Sequence, residues 1–340
     1  MNRRWFLLGA PALAGCSRDR RPRLNVFNWS DYISPATVPN FEREYGVRVR
    51  YGIYESNEEM LARVMSGNSG WDIVFPTNYI VRPMLENGLL APIDHRRLHH
   101  LDNLDARFQQ PLWDPAMNWS VPYMVITTGI AYNRRLRPAP AAWADMWSPR
   151  LAGRITMLDD PFDLMGACLK KLGLSINSED PGQLRAAQRQ AIAQKKLLRA
   201  YLNAEVRDQL VSGDVLAAQM WNTTAQQAAD ESRDIAFAYP AEGFAVYPDT
   251  MVILRESRRS ELAHLFIDYM LRADVAAANA QAARTTTTNA AARKLFPPEF
   301  RDNPILYPPP EVWARGEWGR TMPAPVQRLR DRLWTEIKAA

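Results

Sequence analysis

The stretch that most constrains the fold runs from Pro122 to Tyr132, where Tyr123-Met124-Val125-Ile126-Thr127-Thr128-Gly129-Ile130-Ala131-Tyr132 carries no charge. It is β-prone and longer than an ordinary strand. In a chain of 340 residues such a run is expected to leave one domain and enter another, as the first of two hinge crossings. Thr250 to Leu254 reads as the return crossing. Before the first crossing, strands and helices alternate: a strand at Leu24–Trp29, a helix at Ala36–Tyr45 and a strand at Val47–Tyr54. Ser56-Asn57-Glu58-Glu59 then has the Ser-x-x-Glu spacing that opens a helix. A short strand at Trp71–Phe75, ended by Pro76, leads into a helix over Thr77–Asn87. Between the crossings the alternation resumes, with strands at Arg154–Leu158, Val215–Trp221 and Ile235–Tyr239. Helices are expected at Asp163–Leu172, Gln183–Leu202 and Thr223–Ser232. After the return, helices at Glu261–Leu271 and Asp274–Ala283 rejoin the first domain, Thr285 to Thr288 reads as a loop, and a helix over Val326–Ala339 ends the chain. The pattern is α/β, with mainly parallel sheets flanked by helices.

The net charge of +5 is a property of the N-terminus alone. Residues 1–23 hold six arginines against one aspartate, which leaves 36 basic and 36 acidic side chains in the rest of the chain. A neutral body gives no support to a nucleic-acid-binding face. The first residues read as an export signal. Asn2-Arg3-Arg4-Trp5-Phe6-Leu7 is a twin-arginine start, and the apolar run Leu7–Ala14 that follows is too short to span a bilayer permanently. Leu13-Ala14-Gly15-Cys16 resembles a lipobox, which makes residues 1–16 the signal peptide, Cys16 the lipidated N-terminus and residues 17–23 a basic tether. Cys168 is then the one internal cysteine, read as a buried and inert thiol with no partner for an intramolecular disulfide.

Catalytic constellations are scarce. The Asp94–Asp102 stretch gathers His95, His99 and His100 on what reads as a solvated polar face, and no metal or cofactor is expected. No glycine-rich phosphate loop or nucleophile motif occurs. What stands out is a set of carboxylates and aromatics at strand ends. In Asn28-Trp29-Ser30-Asp31-Tyr32 the faces of Trp29 and Tyr32 and the charge of Asp31 suit a desolvated ammonium; equally, Trp29 can be core and Ser30 and Asp31 can cap a helix. Asp160 and Asp163 open a helix and can be ligand groups or helix caps. Tyr247-Pro248-Asp249 lies at the return crossing, where a carboxylate beside an aromatic has little purpose for stability alone. Trp221 ends a strand as Trp29 does.

Taken with Tyr54-Glu55-Ser56-Asn57-Glu58, Asp72-Ile73-Val74-Phe75-Pro76, Pro122-Tyr123, Leu271-Arg272-Ala273-Asp274-Val275 and Gly316-Glu317-Trp318, these blocks resemble the polyamine (spermidine/putrescine) substrate-binding proteins of bacterial ABC transporters, from about Leu24 to the C-terminus. The resemblance implies a two-lobed periplasmic binding protein of the type II kind. Lobe 1 would comprise residues 24–126 and 249–292, and lobe 2 residues 127–248 and 293–340, with the ligand in the cleft between them. It implies Trp29 and Tyr79 as aromatic walls, and Ser30, Asp31, Tyr32 and Thr77 at one end of the ligand. Asp160 and Asp163 would be the carboxylates of lobe 2, Trp221 and Tyr247 the flanks of the methylene chain, and Asp249 the central carboxylate. It also implies a monomer, held at the membrane by its lipid, that delivers a polyamine to an ABC permease and catalyses nothing.

Three departures from the family pattern fall at the periphery: Thr285 or a neighbour where an aromatic contact is usual, Gly319 where spermidine binders have Gln, and Thr224 where a putrescine binder has Asp. Three other readings are weighed beside transport. One is a sensor that reports a polyamine to a membrane signalling partner, another is a binder of a different organic cation, and the third is an exported hydrolase using Asp160 and Asp163 as paired carboxylates.

Overall fold

The computed structural model describes residues 19–340, so the twin-arginine leader and Cys16 lie outside the described residues. The chain begins β1 (Arg23–Trp29), α1 (Thr37–Tyr45), β2 (Arg48–Tyr54), α2 (Asn57–Met65), β3 (Ile73–Val74), α3 (Asn78–Glu86) and β4 (Leu90–Ala91). β5 (Val121–Asn133) leads to β6 (Ile155–Met157), α4 (Pro161–Lys171), α5 (Pro181–Lys195), β7 (Leu198–Tyr201) and α6 (Val206–Ser212). Then come β8 (Ala217–Trp221), α7 (Asn222–Glu231), β9 (Ile235–Ala238) and β10 (Phe244–Leu254). The rest of the chain is α8 (Ser260–Met270), α9 (Ala273–Ala283), β11 (Thr286–Thr287), α10 (Ala290–Arg293), α11 (Pro298–Arg301), α12 (Pro310–Trp313), β12 (Gly316–Trp318) and α13 (Ala324–Ala339).

β5 and β10 are long antiparallel partners that join two halves of one ladder, in the order β2-β1-β3-β10-β5-β8-β6-β7. On one side β1 pairs in parallel with β2 and β3; on the other, β6 pairs in parallel with β7 and β8. Both faces of each half are covered, and the sequence alternates accordingly. Along β1, β3 and β10, Leu24, Val26, Ile73, Met251 and Ile253 enter one core, which contains Phe41 and Phe266. Phe27, Val74, Val252 and Leu254 enter the other, with Met60 and Trp71. In the second half Ile130, Ile155 and Ala217 face a core built with α4 and α5, while Ala131, Ala218 and Met220 face α6 and α7. Cys168 lies fully buried in the first of these, and burial pushes its thiol up to about 12, the inert state expected of it.

Three expectations need correction. The return crossing begins at Phe244 and not at Thr250, so Tyr247 and Asp249 are part of the crossing strand itself. The helix expected to reach Leu202 stops at Lys195, and Leu198–Tyr201 becomes a strand beside β6, because the open edge of the parallel sheet outweighs helix propensity there. Thr285 to Thr288 are all buried, and Thr286 and Thr287 pair with β5; the hydroxyls of Thr286 and Thr288 bond to main-chain carbonyls. A run of hydroxyls that reads as a solvated loop is instead packed under the hinge.

Where β9 crosses β5, a Cβ on Gly129 would stand 2.4 Å from the Phe237 ring and 2.8 Å from the Ala238 carbonyl oxygen. Gly129→Ala is therefore expected to destabilise the chain by roughly 1–3 kcal/mol, read as a lower denaturant midpoint with an unchanged slope.

Candidate functional site

The parallel strands of the two halves end toward one another, which is where open α/β sheets form their crevices. Trp29 ends β1, Thr77 follows β3, Asp160 follows β6 and Trp221 ends β8. Four helices start at the same place: Ser56, Thr77, Asp160 and Trp221 are the N-caps of α2, α3, α4 and α7. Their N-termini turn positive potential toward the crevice, which favours carboxylates there.

Asp249 sits at the centre. A register shift in the β5–β10 ladder falls between Asp249 and Thr250, and such an irregularity re-aims a side chain out of the regular pleat. Its carboxylate is 5% exposed and accepts hydrogen bonds from Tyr32 Oη at 2.9 Å and Thr77 Oγ1 at 2.8 Å. Asn57 Nδ2 donates to Thr77 Oγ1, and Tyr123 Oη donates to the Tyr32 carbonyl, so both hydroxyls are held in place. Burial raises the acid from its usual 3.8 to about 7, with the two hydroxyls working against that rise. Trp29 donates its indole N–H to the Phe75 carbonyl and packs against Tyr54. Its hydrogen-bonding capacity is used, which leaves it a wall. Ser30 donates to Glu55, and Asp31 is exposed with a left-handed backbone, φ 50°. The structure brings Tyr32, Thr77 and Asp249 into one network but does not join Asp31 to it by a hydrogen bond.

From the other half, Asp160 Oδ1 caps α4 by accepting from the amides of Phe162 and Asp163. The capping reading is thus correct, and it leaves the second oxygen of Asp160 uncommitted. Asp163 is 3% exposed; Oδ2 accepts from Trp221 Nε1 at 2.9 Å, and Oδ1 is buried without a partner. Both acids are raised by burial. The Glu58 and Asp159 charges add to the rise of Asp160, and Asp160 adds to that of Asp163, against the Trp221 donor.

Aromatic groups close the space between the halves. Tyr79 stacks on Phe162 with centroids 5.3 Å apart, and Tyr247 meets both edge-on at 5.9 and 5.7 Å. Asn78 Nδ2 donates to the Gly319 carbonyl and Thr321 Oγ1 to the Tyr79 carbonyl, so α3 touches the segment after β12. Phe162 and Asn57 are the two residues that sequence reasoning passed over. Each lies inside a block singled out for its neighbours, and a Phe after a capping Asp-Pro carries the signal of a core residue. The peripheral positions differ in kind: Thr285 and Thr224 are buried, and a Cβ at Gly319 would stand 2.6 Å from the Tyr247 ring.

Comparison with known proteins bears on the family and the fold. Residues 69–307 match the family described as bacterial extracellular solute-binding protein. A putrescine/cadaverine-binding protein of Pseudomonas aeruginosa is 33% identical over 98% of both chains. A spermidine/putrescine-binding periplasmic protein of Escherichia coli is 31% identical, covering 98% of this chain and 97% of its own. Among solved structures, a putative spermidine/putrescine ABC transporter protein from Listeria monocytogenes superimposes with a TM-score of 0.88 at 30% identity, over 93% of this chain and 98% of its own.

The buried acids set a pH dependence. Asp249 holds its proton to higher pH in the folded chain than its usual 3.8. The folded state therefore binds more protons in that window, and stability is full below about 4 and is lost as pH rises through about 7. The melting temperature of the ligand-free protein should fall across this range, and Asp249→Asn should flatten the fall by roughly 2–4 kcal/mol, measured by thermal scans from pH 4 to 8.

Proposed function

The chain belongs to the bacterial extracellular solute-binding proteins, a family of binding proteins and not of enzymes, and on that premise we propose that it binds a polyamine of the putrescine or spermidine type between two lobes and delivers it to an ABC permease. The observation that carries the reading is a set of carboxylates withdrawn from solvent, the buried Asp249 from one side and the half-buried Asp160 and buried Asp163 from the other. Among the described residues none of the three is paired with a lysine or arginine. A buried carboxylate without a cation is costly, and an ammonium that enters with the ligand removes that cost. Trp29, Tyr79, Trp221 and Tyr247 supply faces for the carbons between the charges. Ser30, Asp31, Tyr32 and Thr77 serve the lobe 1 end. Thr77 and Tyr32 act through Asp249, and Asp31, exposed at the rim, meets the ligand as the cleft closes.

In this reading residues 24–126 with 249–292 close on residues 127–248 with 293–340 about the two crossing strands, and the ligand prefers the closed state because it touches both. The twin-arginine leader exports the chain, Cys16 anchors it by lipid after cleavage, and the body acts as a monomer outside the cytoplasm.

Calorimetry with putrescine, cadaverine and spermidine tests the reading; saturable heat with at least one is expected, and no heat with any diamine or triamine rules it out. Asp249→Asn should weaken binding by roughly 100-fold or more, since it removes one partner of a buried charge pair, without lowering the ligand-free melting temperature at pH 8.

A further inference from the structure

Behind the aromatic cluster lies a buried cation. Arg330 of α13 is 2% exposed, and its guanidinium carbon stands 4.8 Å from the centroid of Phe162. Nη2 donates to the carbonyls of Ile176 at 2.6 Å and Ser178 at 3.2 Å, while Nε and Nη1 are buried without partners. No carboxylate answers the charge among the described residues; its hydrogen bonds go to main-chain oxygens alone. Burial pulls its pKa down from the usual guanidinium value, and the neighbouring Tyr247 opposes the fall.

The position of this charge relative to the cleft follows from the rings. Tyr79 is stacked nearly parallel on Phe162, at an interplanar angle of 11°. Phe162 thus packs against both the cleft aromatic Tyr79 and the Arg330 guanidinium. Tyr247 closes the same end: its hydroxyl is buried without a partner, and its ring occupies the space that a side chain at position 319 would need. A desolvated positive charge therefore sits against Phe162, the residue that lies between Asp160 and Asp163 at the start of α4 and stacks on Tyr79. Two cations in a poorly screened interior repel strongly even when a ring lies between them.

We infer that Arg330 is a specificity-determining residue, a fixed positive charge behind Phe162 that confines the site to a ligand with two cationic ends and disfavours a third ammonium beyond Tyr247. The inference rests on the polyamine reading and narrows it to diamines. Arg330 touches no ligand in this account; it acts through Phe162 on the field at the end of the cleft. The alternative role is purely structural, an anchor for the 172–180 loop through the Ile176 and Ser178 carbonyls.

Calorimetry on the full-length protein, with putrescine, cadaverine and spermidine against wild type, Arg330→Lys and Arg330→Met, separates these roles. Wild type is expected to bind the better diamine at least roughly tenfold more tightly than spermidine. Arg330→Met should reduce that ratio to near unity, and Arg330→Lys, which keeps the charge but not the forked carbonyl contacts, should preserve it. Equal wild-type affinity for diamine and triamine overturns the inference, and so does a ratio unchanged in Arg330→Met or lost equally in both variants. If Arg330→Met does not fold, the wild-type ratio and the Arg330→Lys ratio decide, since a lost ratio in the lysine variant also overturns it. Absence of binding by every amine to wild type instead removes the polyamine reading itself.

Discussion

The structure turns on three carboxylates, two buried and one half-buried, that have no cationic partner among the described residues. Asp249 is held by two hydroxyls, Asp160 by two amides of its own helix and Asp163 by an indole, and these donors are all neutral. Neutral donors orient a carboxylate and partly solvate it, but they do not cancel its charge, so burial raises all three acids. On the proposed reading, the missing positive charge is the ligand's. Glu58 of α2 and Asp160 of α4 lie within electrostatic reach of each other, which adds to the same deficit.

How the chain arranges this follows from its two long strands. Each half of the ladder is a short parallel sheet whose strands finish at the cleft, and parallel strands followed by helices deliver a strand end and a helix N-terminus to the same point. β10 belongs to both halves, so the irregularity after Asp249 places a carboxylate on a strand that joins them. Its partners Tyr32 and Thr77 come from the segments that follow β1 and β3 in one half. Asp163 and Trp221 are fixed to one another in the other half. The site therefore has a centre on a strand shared by both halves and two flanks that are each hydrogen-bonded within one half.

Much of this was legible in the sequence, for a physical reason. Strand ends in an α/β chain are where polar residues interrupt apolar runs, so Trp29-Ser30-Asp31-Tyr32, Asp160 and Trp221 announce themselves against Leu24–Phe27, Ile155–Leu158 and Ala217–Met220. What the sequence hid depends on partners far along the chain. β7 is strand because β6 offers an edge, the four threonines are buried because β5 receives them, and Phe162 enters the cleft because Tyr79, more than eighty positions earlier, stacks on it. Arg330 reads as one basic residue among several on a C-terminal helix; only packing reveals that its charge is enclosed.

The central claim is that ligand ammonium groups supply the charge that lets the buried acids ionise together. Proton release on binding measures it directly, through putrescine titrations at pH 6 in buffers of different ionisation enthalpy. With burial pushing Asp249 up to about 7 and Asp160 raised as well, binding at pH 6 should release close to one proton or more, and the release should vanish above about pH 8.5. Binding without proton release at pH 6, or with proton uptake, would contradict the account.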